Sequence, residues 1–310
     1  MKSESKRAVV AALLANLGIA VAKLVGFAFT GAASMLAEAI HSIADTANQG
    51  LLFVGGALAR RQATASHPFG YGRERYFWAF IVSLVIFTLG SLFALYEGVT
   101  KLVHPHALHS PAWAIGILVV AMALESASFT VAIRQSNKLR AGESWWAFVR
   151  RSKVPELPVV LLEDLGALVG LALALLGVGL TVATGNARYD ALGSMAIGVL
   201  LFAIAAVLAV EMRSLLLGEA AAPVTERALR QVIEADAEVR RLVHMRTQHL
   251  GPEELLVAIK VELDAGLDFA GVVGAINRVE AALRAACPIA RVIYVEPDYC
   301  AGADEPNERA

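Results

Sequence analysis

The chain has 310 residues, enough for one large domain or two ordinary ones, and 57% are apolar against 18% charged. A formal charge of −1 gives no general attraction to nucleic acid, which disfavours that class of partner. The two cysteines, Cys287 and Cys300, are too few for a disulfide framework or a four-thiolate metal site.

A helix needs roughly 20 apolar residues to cross the hydrocarbon of a bilayer, and six segments meet that test. After a short polar arm, residues 9–29 form the first. This run outlasts the apolar part of a signal peptide, and a second membrane-grade segment follows closely, so it reads as a retained helix. Residues 32–59 form the second, with acids near its middle that dilute its hydropathy. Residues 76–99, 112–133, 158–183 and 190–212 form the rest, and the fifth again carries acids inside. Small residues across 166–179 suit close helix packing in lipid.

Basic residues mark the orientation. Lys2, Lys6 and Arg7 precede the first segment, and Arg60, Arg61, Arg73 and Arg75 follow the second. Arg134, Lys138, Arg140, Arg150, Arg151 and Lys153 follow the fourth, whereas the opposite loops offer little beyond Lys101 and Arg188. Positive loops stay inside, so both termini are expected in the cytoplasm. The Trp145–Trp146 pair suits an amphipathic linker anchored at the interface.

Past Met212 the character changes. Pro223 opens an amphipathic helix over 224–235, at a favourable first-turn position. Residues 239–250 and 255–263 read as strands around a Gly251-Pro252 turn, 269–286 as a helix and 290–295 as a last strand. The expected architecture is an all-α transmembrane bundle of six helices over 1–216 and a small α+β cytoplasmic domain over 217–298. Residues 299–310 form a polar tail, expected to be disordered. Rich in alanine and arginine and without a transit-like extension, the chain looks bacterial, which points to the plasma membrane.

Ionisable groups inside a membrane are costly, roughly 2.5–3.5 kcal/mol each on the insertion scale, so each asks for a reason. In the second segment Glu38, His41, Asp45 and Asn48 stand three, four and three residues apart. On a helix they fall within about an 80° sector, one continuous stripe. His41 and Asp45, one turn apart, can address one ion, and imidazole with carboxylate suits a borderline metal such as zinc. The fifth segment supplies Glu163 and Asp164. Adjacent residues point about 100° apart, so one of the two is expected to face the stripe. Interhelical hydrogen bonding is the competing explanation for a lone acid, and the combined set favours a site.

These residues also carry a resemblance. The run S-M-L-A-E-A-I-H-S-I-A-D-T-A-N-Q-G over 34–50 resembles the second helix of the cation diffusion facilitator family. So do H-P-F-G-Y-G-R-E-R over 67–75, the His104-Pro105 pair and Y-D-A-L-G-S over 189–194. The run V-V-L-L-E-D-L-G-A-L-V-G over 159–170 resembles the branch that contains the mitochondrial zinc exporter.

The resemblance implies a six-helix homodimer with a ferredoxin-like cytoplasmic domain. It would exchange a divalent metal, zinc first, for protons by alternating access. Manganese, iron, cobalt or nickel as substrate, or metal binding without transport, are the alternatives. The partners implied are the metal ion, protons and membrane lipid. Zinc would be transported substrate, and no cofactor or enzymatic activity is expected; the chain lacks an H-E-x-x-H pair.

The family's midmembrane ligands fall on His41, Asp45 and Asp164, but a fourth falls on Val160, which cannot bind metal. Glu163 is the nearest substitute, with water or Asn48 as alternatives. His67 and His244 match liganding positions elsewhere. However, Tyr71, Lys260 and Val295 replace their partners, so both are expected to be surface or hydrogen-bonded residues. His104, His106 and His109 could receive metal at the outer end or be incidental. Glu125, Lys23 and Asn16 could form a polar network, a proton route or internal pairs.

Overall fold

The computed structural model describes residues 3–105, 107–108, 110–140 and 142–298, with side chains from residue 17 onward except 86 and 87. Helices α1 (Ser3–Thr30), α2 (Ala33–Leu58), α3 (Glu74–Val103) and α4 (Pro111–Arg140) come first. A short α5 (Trp145–Arg151) follows at the expected amphipathic linker, then α6 (Glu156–Thr184) and α7 (Arg188–Leu217). Among the described residues four helices are long and apolar enough to cross a membrane: α3, α4, α6 and α7. Within α1 the described apolar part is the shorter Leu17–Thr30. The 26-residue α2 carries the polar stripe, which dilutes its hydropathy.

Three helices clearly outrun their expected ends, α7 among them, which continues to Leu217. α3 continues to Val103 and takes in Lys101, and α4 continues to Arg140, past Arg134 and Lys138. Hydropathy registers the hydrocarbon layer, whereas backbone hydrogen bonding carries a helix on until its sequence stops it. Val82–Ile86 form a π-helical turn inside α3.

Residues 1–61 and 74–216 make one compact unit. Its core gathers Met35, Leu118, Leu171, Ile197, Leu201, Leu208 and Met212. Small residues and hydroxyls let the helices close. A Cβ on Gly193 would lie 3.4 Å from the Gly177 Cα, and Ser91 Oγ donates to the Gly198 carbonyl at 2.8 Å. Ser194 Oγ likewise donates to the Ala94 carbonyl at 2.9 Å.

The start of α2 is held from other helices. Its N-cap, Ala32, has no side chain to accept from the first turn. Asp190 of α7 does so instead, taking Ala33 N–H at 2.7 Å, Ser34 N–H at 3.3 Å and the Ser34 hydroxyl. Lys101 of α3 donates to Asp190 Oδ2 at 2.8 Å and to the Gly31 carbonyl. Asp190 and Lys101 are both buried, so this knot fixes where the stripe of α2 begins.

Residues 62–73 and 217–298 form the other unit. Its order is α8 (Pro223–Glu234), β1 (Val239–Gly251), β2 (Glu254–Leu263), α9 (Phe269–Ala286) and β3 (Ala290–Asp298), as the sequence predicts apart from a longer last strand. β2 lies between β1, antiparallel, and β3, parallel. The parallel pair is joined through α9, whose N-cap Asp268 accepts from Gly271 N–H at 2.8 Å. Alternate residues of β2, Leu255, Val257, Ile259, Val261 and Leu263, enter a core with Leu229, Ile233, Val279 and Leu283. The 62–73 segment belongs here: a Cβ on Gly72 would meet the Leu250 carbonyl at 2.8 Å. The expected polar tail, 299–310, lies outside the described residues.

Candidate metal site

The four residues of the α2 stripe are all buried, but they do not share one neighbourhood. Glu38 points to α1. Lys23 Nζ donates to Glu38 Oε2 at 3.1 Å and to Ser42 Oγ at 2.7 Å, and Lys23 and Glu38 are each 0% exposed. Glu38 Oε1 has no hydrogen-bond partner among the described residues and fits against Gly170, where a Cβ would come within 2.3 Å of it. Glu38 is therefore half of a buried ion pair, with Gly170 leaving it room.

Asp45 and Asn48 approach the acids of α6, and His41 adjoins Asp45. His41 Nδ1 lies 3.4 Å from Asp45 Oδ1, the i to i+4 contact that the spacing predicts. Asn48 Nδ2 donates to Glu163 Oε2. Asp164 Oδ2 accepts from Ser128 Oγ of α4 at 3.2 Å. A small cleft is lined by Ser42, Asp45, Gln49, Glu125, Glu163 and Asp164. Both acids of α6 thus reach the cleft, where the 100° separation predicted one. Glu163 is brought round by Asn48, a side-chain bond that helical angle alone does not foresee.

Chemically the cleft is an anionic pocket with carboxylate oxygens from three helices and an imidazole beside it. Carboxylates gathered in a low-dielectric setting repel one another, and a divalent cation is the ligand that relieves the repulsion. Among the described residues no three of His, Cys, Asp or Glu are drawn tightly enough to hold an ion as they stand. An ion would have to pull the side chains inward.

The other expected histidines among the described residues do not line this cleft. His67 is exposed, stacks at 4.5 Å between ring centroids on Tyr71, and lies 3.2 Å from Ser66 Oγ. His244 is exposed on β1 opposite Lys260, whose ammonium pairs with Glu296 and Asp298 at 3.4 Å each. Those two carboxylates raise the Lys260 pKa, keeping a cation where a second metal ligand would be needed. His104 is exposed, while His106, His109 and the Asn16 side chain lie outside the described residues. Sequence reasoning did not single out Ser42, Gln49 or Ser128. For Ser128 a signal existed, since it stands three residues after Glu125 and shares its helical face.

A family model described as the cation efflux transmembrane domain matches residues 9–217. The chain is 36% identical over 267 residues to the Xenopus laevis protein named proton-coupled zinc antiporter SLC30A9, mitochondrial, covering 85% of this chain and 47% of that one. The human protein of the same name is 36% identical over 244 residues, 78% of this chain and 43% of its own length. Metal tolerance protein C4 of Arabidopsis thaliana is 32% identical over 262 residues, 84% of this chain and 57% of that one. The chain spans about half the length of these curated relatives. Two of these relatives are named as mitochondrial, so the expected bacterial plasma membrane draws no support from them.

Proposed function

The chain belongs to the cation efflux family, and from that premise we propose that it exports a divalent cation, zinc first, in exchange for protons. Support comes from the names of its relatives and from one observation in particular. A single stripe on α2 sets Asp45, with His41 beside it, at a cleft that the paired acids Glu163 and Asp164 of α6 also line. The proposed architecture has six crossings, α1 and α2 joining the four long apolar helices, with a ferredoxin-like domain formed by α8 to β3. The working unit is a homodimer. The proposal places both termini in the cytoplasm, on loop charge, and the chain in a bacterial plasma membrane, on composition.

In this reading zinc enters from the cytoplasm and meets His41, Asp45 and Asp164, with Glu163 at hand. Ligands must be deprotonated to bind metal, so loading the ion releases protons and proton return unloads it on the far side. His41 must shed its proton before its ring nitrogen can bind metal, which gives it the coupling role. Transport follows from alternating access of this cleft to the two sides.

Asp45→Ala and Asp164→Ala are expected to reduce zinc-driven proton flux in proteoliposomes to the level of protein-free vesicles. Wild-type flux in either would remove the site. Zinc binding without flux in the unaltered protein would favour the reading of a metal-binding membrane protein. His41→Asp is expected to relax the preference for zinc toward manganese or cadmium, because an all-oxygen set suits harder and larger ions. An unaltered metal panel would exclude His41 as the selectivity ligand.

A further inference from the structure

Val160 stands one turn before Asp164 on α6, yet its side chain packs against the apolar group built on Ala132, Phe148, Val149 and Leu161. It leaves the cleft one donor short on that helix. Glu125 of α4 reaches the same cleft as Asp45, Glu163 and Asp164. Its position is fixed by the next turn of α4, where Ser128 donates to Asp164 Oδ2 at 3.2 Å and holds that face against α6 at the level of the acids. No hydrogen bond or ion pair joins Glu125 to another described residue. A carboxylate inside a membrane helix is costly in that condition and asks for a cation.

Glu163 is the less suitable donor. One of its oxygens already accepts from Asn48, whereas both oxygens of Glu125 are unengaged by described residues. Lys23 acts on Glu125 and Asp45 only through space, since its ammonium hydrogen-bonds to Glu38 and Ser42.

We infer that Glu125 is a ligand of the transported cation, supplying from α4 the donor that Val160 does not provide on α6. The ion site then draws on α2, α4 and α6. This rests on the reading of Asp45 and Asp164 as ligands, and the test separates the two claims.

Zinc binding to the purified full-length protein in nanodiscs, with zinc chloride as the only added metal, is the measurement. Glu125→Gln is expected to weaken binding at least about 100-fold, beyond what loss of a merely orienting group gives. Its unfolding temperature without metal should match the wild type. Glu125→Asp should retain part of the affinity, and adding Val160→Asp to Glu125→Gln should restore much of it. Wild-type affinity in Glu125→Gln with lost binding in Asp164→Asn overturns the role of Glu125 alone. Wild-type affinity in Asp45→Asn and Asp164→Asn overturns the site itself. Weakened binding with a lowered metal-free unfolding temperature and no restoration by Val160→Asp also overturns the role, because Glu125 would then only hold helices together.

Discussion

Asp190→Ala is expected to cost the bundle about 3–5 kcal/mol, the range for removing one partner of a buried pair. The substitution leaves the Lys101 ammonium buried without its carboxylate and strips the first turn of α2 of its acceptor. The N-cap position itself is an alanine, with no side chain to accept in its place. Thermal unfolding in detergent checks the magnitude. Adding Lys101→Met should recover about 0.5–3 kcal/mol of the loss, the coupling expected of residues in one network. A single-mutant loss below about 1 kcal/mol, or strict additivity of the two changes, would show that the pair contributes nothing beyond a surface ion pair.

Lys23→Met should be of similar size, again about 3–5 kcal/mol, since it leaves Glu38 buried with no cation. Pairing it with Glu38→Gln should restore most of the stability. The double variant also separates two roles for Glu38, ion-pair partner or metal ligand. The geometry favours the first, so zinc affinity in the double variant is expected within about twofold of wild type, the scatter of independent sites. A loss as deep as that of Asp45→Ala would return Glu38 to the ligand set.

These pairs mark the boundary of what was legible in the sequence. The stripe on α2 follows from a spacing of three, four and three, and its burial follows from helical geometry. The C-terminal domain was equally readable, because Pro223 and the Gly251-Pro252 turn punctuate it and β2 alternates strictly. By contrast, Lys101 and Asp190 lie 89 residues apart, and Lys101 looked like an ordinary loop cation. Glu38 sits in the stripe by angle, but its partner lies on α1, and no periodicity reports which neighbour a side chain will choose. Nor does the nominal 100° between Glu163 and Asp164 report the hydrogen bond by which Asn48 engages Glu163.

The hairpin of α1 and α2 also bears on how the chain first enters a bilayer. Only Gly31 and Ala32 separate the two helices, and Gly31 takes the left-handed φ of +64° that so sharp a reversal needs. Lys23 lies seven residues before the end of α1 and Glu38 five after the start of α2. At 1.5 Å per residue they stand roughly 10 and 8 Å from the turn, at nearly one depth. If both helices cross the bilayer, as proposed, each inserted singly would carry an uncompensated charge into lipid. Inserted together, the two charges cancel, so α1 should linger at the translocation channel until α2 has emerged from the ribosome.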